Sequence, residues 1–390
     1  MLSGIDRLLE YPNFILAIVK TVMTWEAREM SKEMNEEMND EMMSAGWDAI
    51  DQEMRKIYGE QEPKHYGTLI SYALGGNDPL DGISAYISDE PNPHWHFVTY
   101  GFTELYEKES ENEEESGFGF ELTFRLARKD DEEEPPAWAL NLLQNMGRYV
   151  FNTGNVFQAG DHLDANGPIC LGADTQLTAL AFVTDPQLAE MDTPNGRVQF
   201  LQMVGITGDE LDAMMAWNTR GVLQSGLPYM PFYITDLERD SLLRHSTVTD
   251  AVQKGMEQEG SSTAYLFVSQ LGWEPGKNGF LKKTPSTLRL GAKQAEVIGK
   301  ILCGRMRKGE SLSLVGPDVR VVFEAGEKPA CIPGEDVIRF VLDDATTLAL
   351  TKQLLPKESS FEIPSLKGIA INIVKTNITD SEGNVVKVIG

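Results

Sequence analysis

The chain has 390 residues and a formal net charge of -26, with 60 acidic against 34 basic side chains. That length predicts two domains instead of one core. An electrostatic field of this sign repels nucleic acid and anionic membranes, so we expect neither as a partner, and it would attract a basic protein. The alternative is that the charge serves only solubility. Three scattered cysteines without a CxxC spacing exclude a disulfide framework and favour a reducing, cytoplasmic compartment.

The sequence of residues 1–45 predicts a helical extension rich in Met and Glu. Its apolar run at 14–19 is too short to span a bilayer and disfavours a signal peptide. Methionine then recurs at every fourth residue, at Met30, Met34, Met38 and Met42. This spacing places soft, flexible side chains on one helix face, which is typical of a packing seam. The alternative is an adaptable docking arm.

Residues 46–272 have the pattern of a first mixed α/β domain. Strict alternation at 94–101 and 118–126 predicts two strands, and the second carries apolar and polar side chains on opposite faces. Thr207 and Glu210 have the spacing of a capping box at the start of a helix. The other predicted elements are a helix opened by Pro135-Pro136, a buried central strand at 198–206, a strand at 230–237 and a helix at 248–257.

A turn-rich stretch at 272–279 predicts a domain boundary. We assign 273–283 to a linker and 284–390 to a second α+β domain. The predicted elements of this domain are helices at 294–302 and 345–355, a hairpin of strands at 311–315 and 319–324, and a closing hairpin of 369–376 and 385–389.

Catalytic motifs are missing: the sequence has no phosphate loop, dinucleotide fingerprint, HExxH or nucleophile elbow. The sharpest chemical signal is the pair His94 and His96, which point the same way if their segment is a strand. Together with Asp161 or His162 they could hold zinc in a metal-dependent hydrolase. The alternative is that these histidines make only structural hydrogen bonds. We therefore predict no catalytic residue, no metal and no cofactor, and keep the hydrolase as a rival hypothesis.

A series of sequence blocks, kept in order, resembles the suppressor-of-fused family. The blocks are Leu74 to Asp81, Pro93-His-Trp-His96, Tyr100 to Tyr106, Ser116 to Leu126, Arg148-Tyr-Val-Phe151, Gly160-Asp-His162, Phe200 to Gly205 and Ile234-Thr-Asp236. The resemblance runs from about residue 47 to 270 and is weaker from about 284 onward. The long insertion of animal members is missing, so the chain looks like a compact, bacterial-type member.

The resemblance implies a binding protein and not an enzyme. In animal members a short extended segment of a transcription factor docks as a strand between the two domains, by β-augmentation. The family residues at that cleft correspond to Tyr149, Phe157 and Asp161, which are therefore the expected partner-binding residues. From the residues alone, Tyr149 and Phe157 also fit simple packing, and Asp161 also fits a turn cap. Bacterial members have been proposed as immunity proteins that neutralise toxins of polymorphic toxin systems.

The predicted fold class is thus α+β: two mixed α/β domains with an interdomain cleft, preceded by a helical extension. The predicted function is a non-enzymatic, cytoplasmic protein that sequesters a protein partner, with a bacterial toxin as the candidate. That partner is expected to be basic or to present an extended strand. The rivals are the metal-dependent hydrolase and a structural module of a larger assembly that docks through its Met-rich helix.

Overall fold

The computed structural model describes residues 44–390 apart from 69, 71, 73, 74, 130, 278–283 and 380–383. The predicted methionine stripe lies outside the described residues. The described α-helices are α1 (Ala45–Tyr58), α2 (Ala137–Thr153), α3 (Gly208–Ala216), α4 (Thr219–Gly226), α5 (Ser246–Gln258), α6 (Ala292–Arg307) and α7 (Asp344–Thr351). Within that part of the chain, no helix combines the length and the apolar character needed to cross a membrane.

The N-terminal half is built on one large sheet. Its strands are β1 (Lys64–Gly67), β2 (Gly82–Ser88), β3 (His94–Tyr100), β4 (Glu115–Ala127), β5 (His162–Asp164), β6 (Leu177–Thr184), β7 (Met191–Thr193) and β8 (Gly196–Thr207). Their order is β1-β2-β3-β4-β8-β6-β5, and β7 also pairs with β8. β4 and β8 run parallel, whereas the other neighbours are antiparallel.

A helix packs on each face of this sheet. α2 covers one face, where its buried Leu143 and Val150 meet the apolar side of β4. α1 covers the other face, and its Ile50 and Met54 pack beside Tyr86 of β2. Burial of apolar side chains on both faces holds the sheet between two helical layers. The predicted strands around 94–101 and 118–126 and the helix after Pro136 are confirmed.

The C-terminal half contains two smaller sheets and a separate hairpin. Its strands are β9 (Tyr265–Phe267), β10 (Gly272–Glu274), β11 (Ser286–Gly291), β12 (Leu312–Val315), β13 (Arg320–Ala325), β14 (Ala330–Pro333), β15 (Val337–Leu342), β16 (Ser359–Glu362), β17 (Ile369–Val374), β18 (Thr376–Thr379) and β19 (Val385–Ile389). One sheet has the order β14-β15-β13-β12-β9, the other β10-β11-β17-β16, and β18 pairs with β19. α6 contacts strands of both sheets. The mixed α+β fold class is therefore confirmed.

An apolar core joins the two halves. It contains Ile206 and Met214 from the N-terminal half together with Ile298 and Ile301 of α6, and α3 contacts α6. β9 and β10 already pair with C-terminal strands. The C-terminal sheets therefore begin before residue 272, and the exact domain division stays a prediction.

Two local predictions were wrong, and one predicted boundary falls inside a strand. The segment 230–237 is not a strand: Phe232 and Tyr233 have φ of 53° and 54°, in the left-handed region, and they lie in a short 3-10 turn. Residues 272–274 form β10, so the predicted linker begins inside a strand. The closing hairpin is made by β18 and β19, because β17 pairs in parallel with β11.

Candidate functional site

The three predicted partner-binding residues lie close together at one side of the N-terminal sheet. Tyr149 is in the last turns of α2 and stacks on Phe157, with ring centroids 5.5 Å apart. Phe157 stacks in turn on Phe182 of β6 at 4.1 Å. Phe157 is 7% exposed, whereas Tyr149 is half-buried. The ring of Phe157 therefore supports Tyr149 from the core, and Tyr149 is the one of the two that is open to solvent.

Asp161 is exposed and immediately precedes β5. Its Oδ2 accepts the backbone N–H of Gln158 at 2.8 Å, which closes a short turn. Its backbone carbonyl accepts the N–H of Phe182 at 2.9 Å. Within the described residues, the other carboxylate oxygen has no hydrogen-bond partner. Asp161 thus caps a turn with one oxygen and presents the second to solvent.

β5 is an edge strand that pairs with β6 on one side and with no other described strand. The N–H of Ala165 is bonded to Thr178, and the carbonyl of Asp161 to Phe182. Because main-chain groups alternate in direction along a strand, those of His162 and Asp164 point away from β6. This edge can therefore hydrogen-bond an added strand.

β9 is an edge strand of the C-terminal sheet and pairs with β12. The carbonyl of Ala264 and the N–H of Val268 are bonded to β12, so the main-chain groups of Tyr265 and Phe267 face the other way. The side chains of Tyr265 and Phe267 are 60% and 69% exposed. Nothing in the sequence pattern marks this three-residue strand, and it was not among the predicted sites.

The first turn of α6 touches both edges. Lys293 Nζ lies 3.2 Å from Asp164 Oδ2 in β5. The next residue, Gln294, donates from Nε2 to the carbonyl of Phe267 in β9 at 2.9 Å. The same helix end therefore contacts both edge strands, each through a single side chain. One of these strands lies in each half of the molecule.

A groove of about 770 Å³ lies next to this region. Its lining includes Ala159 and Gly160, just before Asp161, and Ser262, three residues before the start of β9. Thr219 at the start of α4 also lines it, and its Oγ1 is 3.0 Å from Nδ1 of His162 in β5. The groove thus runs beside the approaches to both edge strands.

The structure contradicts the metal-site hypothesis. His94 and His96 are on β3, whereas Asp161 and His162 are at β5, four strand positions away in the sheet. At the usual strand spacing this is roughly 19 Å, far beyond the reach of one metal ion with ligands at about 2 Å. Among the described residues, no group of three His, Cys, Asp or Glu side chains could hold a metal.

The two histidines of β3 have structural partners instead. His94 Nδ1 bonds the carbonyl of Asn92 at 2.7 Å. His96 Nδ1 lies 2.8 Å from the Tyr58 hydroxyl, and its Nε2 lies 3.3 Å from Asp185 Oδ2. Burial, and next the Arg125 charge, lower the pKa of His96 to about 4. His96 is therefore a neutral side chain of the protein interior.

The polar side chains of β4 are buried in an ion network. The alternating pattern predicted that these side chains share one face, but it did not predict their burial. Arg125, fully buried, donates to both oxygens of Asp185 at 2.6 and 3.1 Å. Thr123 donates to the same carboxylate at 2.6 Å. Since a buried charge without a partner is costly, this network stabilises the relative placement of β4 and the loop after β6.

The protein thus has a mixed α+β fold. Each of its two halves has an open sheet edge, and both edges lie next to the N-terminal end of α6. Residues 76–240 match the model of the Suppressor of fused protein family. The human and mouse proteins called Suppressor of fused homolog are each 36% identical over 234 residues, which is 56% of this chain and 48% of theirs. The region of residues 76–240 therefore belongs to the suppressor of fused family. The chain spans about half the length of the curated relatives it matches.

Solved structures show the same fold. The crystal structure of Drosophila Suppressor of Fused superimposes with a TM-score of 0.69 at 24% identity, covering 85% of this chain and 97% of that one. A chain of the Sufu-Fu complex crystal structure matches at 34% identity with a TM-score of 0.50, covering 54% of this chain and 97% of the other. The first of these similarities extends through most of both halves of the molecule.

Proposed function

We propose that this chain is a non-enzymatic binding protein that holds an extended segment of a protein partner between the edges of β5 and β9. The observation that carries this proposal is the pair of open edges, one from each half, at the first turn of α6. A similar chain occurs in a Sufu-Fu complex. That complex supports protein binding by this fold.

Main-chain hydrogen bonds to both edges supply affinity that tolerates sequence variation, and side chains supply selectivity. The outward groups of His162 and Asp164 bind the segment on one side, and those of Tyr265 and Phe267 bind it on the other. Tyr149 and the uncapped oxygen of Asp161 then contact side chains of the partner. Phe157 acts indirectly, because it is buried beneath Tyr149.

The chemistry of the partner follows from charge. A net charge of -26 favours a basic protein segment and disfavours nucleic acid and anionic membrane surfaces. A toxin neutralised by an immunity protein in the cytoplasm is the specific form of this function that a compact, bacterial-type member implies. The general proposal requires only an extended protein segment.

A proline in β9 tests this proposal. Phe267→Pro removes a backbone N–H from the open edge and leaves the bonds from Ala264 and Val268 to β12 in place. The matched control, Phe267→Val, also loses the aromatic ring but keeps that N–H. Each tagged chain is used to capture proteins from the native host after mild crosslinking.

We expect one protein to be retained by the wild type and Phe267→Val but lost with Phe267→Pro. Equal capture by the proline variant would show that the partner does not pair with β9. Recovery of no protein by the wild type would count against sequestration altogether. Melting curves of the three chains confirm that the comparison is made between folded proteins.

A further inference from the structure

Side chains of this chain already contact both edges proposed to receive a partner. Phe267 has a carbonyl that points away from β12, and this carbonyl accepts a hydrogen bond from Gln294 Nε2 at 2.9 Å. Asp164, on the other edge, is ion-paired with Lys293 at 3.2 Å. The two contacts come from consecutive residues, so a single helix turn bonds the main chain of β9 and a side chain of β5.

This helix turn is held firmly in position. The backbone N–H of Lys293 is donated to Thr376 Oγ1 at 3.1 Å, and the Thr376 hydroxyl donates to Gln270 Oε1 at 2.5 Å. Gln270 Nε2 also donates to the carbonyl of Lys375 at 3.1 Å. At Gly291, the residue before α6, an added Cβ would lie 2.4 Å from Gln270 Oε1. Gln294 is half-buried. These bonds therefore fix the backbone from which Gln294 reaches Phe267.

We infer that Lys293 and Gln294 form an autoinhibitory latch, in which the Gln294 amide occupies the position of a backbone N–H of the partner segment. This inference rests on the proposed function, since it concerns the same two edges. A segment that pairs with β9 competes with Gln294 for the Phe267 carbonyl. A segment that lies along β5 must pass the Lys293–Asp164 pair. The latch lowers the affinity for every partner segment. The loss is largest for segments that cannot replace the bonds made by Lys293 and Gln294.

The expected change in affinity follows from the exchange of one hydrogen bond for another. The partner forms one hydrogen bond to Phe267 but breaks another that already exists, so the latched protein gains less from binding. Removing the Gln294 donor should tighten binding about two- to tenfold, the net contribution of one neutral hydrogen bond. Lys293 and Asp164 are both about 40% exposed. Their ion pair should therefore contribute at most about fivefold, and less at high salt.

The experiment uses the full chain and a defined probe. A random nine-residue peptide library is displayed and selected on the wild-type chain, with counter-selection against Phe267→Pro. The recovered peptide is synthesised, and its affinity is measured for the wild type, Gln294→Ala and Gln294→Glu. The Glu variant keeps the length of the side chain but lacks the N–H donor. Glu296→Ala is the matched control, because it removes an exposed ion pair with Lys300 on the same helix.

We expect both Gln294 variants to bind the peptide about two- to tenfold more tightly and Glu296→Ala to bind like the wild type. Unchanged or weaker binding by both Gln294 variants, with melting temperatures preserved, overturns the latch and leaves the strand-binding function standing. If no peptide depends on Phe267, the proposed function fails and the latch fails with it. The outcomes separate the two proposals.

Discussion

Two substitutions of Asp161 can distinguish its structural role in a turn from its proposed role in partner binding. One of its carboxylate oxygens caps the N–H of Gln158 at 2.8 Å, and the residue is exposed. Asp161→Ala removes the cap and the charge together. Asp161→Asn keeps a side-chain oxygen that can accept from Gln158, but it removes the charge. The two variants should therefore affect folding and binding in different proportions.

The magnitudes follow from the contacts. Loss of the turn cap in Asp161→Ala should lower the free energy of unfolding by about 0.5–1.5 kcal/mol, the net contribution of one hydrogen bond. Loss of a charged acceptor for the partner should weaken binding by about 1.5–3 kcal/mol, or roughly 12- to 160-fold. The free energy of unfolding of Asp161→Asn should lie within about 0.5 kcal/mol of the wild-type value. Its loss of binding free energy should be about half of that in Asp161→Ala, since charge-assisted bonds are about twice as strong as neutral ones.

Urea unfolding measures the first quantity, and calorimetric titration with the captured partner measures the second. The m-value should be the same in all three chains, so that a shift of the midpoint reports stability. The reasoning is refuted if Asp161→Ala binds the partner like the wild type while it unfolds more easily. Asp161 would then be a structural turn residue, and the cleft chemistry implied by the family resemblance would not apply to this chain.

Three further predictions concern the supporting core. Phe157→Ala should lower the free energy of unfolding by about 3–5 kcal/mol, because the ring is 7% exposed and stacked on both sides; a cost below about 1 kcal/mol in urea would contradict its placement. Asp185→Asn should cost about 3–5 kcal/mol by leaving Arg125 buried without its counter-charge. Asp89→Asn, whose carboxylate is exposed in its pair with Arg128, should cost under about 1 kcal/mol. The pKa of His96 is lowered to about 4 in the folded chain from 6.5, so its contribution to stability is present above pH 6.5 and is lost as the pH falls toward 4. The destabilisation caused by His96→Gln should therefore shrink by about 3 kcal/mol between pH 7 and pH 4, and a constant difference would mean that His96 titrates normally.

Much of the local structure was predictable because it depends on local periodicity. Alternation in 118–126 predicted a strand with opposite apolar and polar faces, and β4 has them. The capping box of Thr207 and Glu210 was also predictable, and Glu210 accepts the N–H of Thr207 at 2.9 Å. In both cases the decisive contacts lie within one element, so spacing alone carries the information.

The candidate site was only partly predictable. The family resemblance predicted Tyr149, Phe157 and Asp161, and the structure brings them to one side of the sheet, but whether they bind a partner stays a prediction. The burial of Arg125 against Asp185 depends on residues 60 positions apart. No pattern within β4 or in the loop after β6 indicates that contact.

By itself, the sequence determined the fold class and most of the regular elements of this protein, and it carried the family resemblance. Only the tertiary structure decided that β5 and β9 are edges and that Lys293 and Gln294 lie against them. A strand is an edge because of which strands pair beside it, and that is settled by the path of the whole chain. Lys293 and Asp164 are 129 residues apart. At such a separation, contacts arise from the packing of the two halves around their shared core and not from any local spacing of residues.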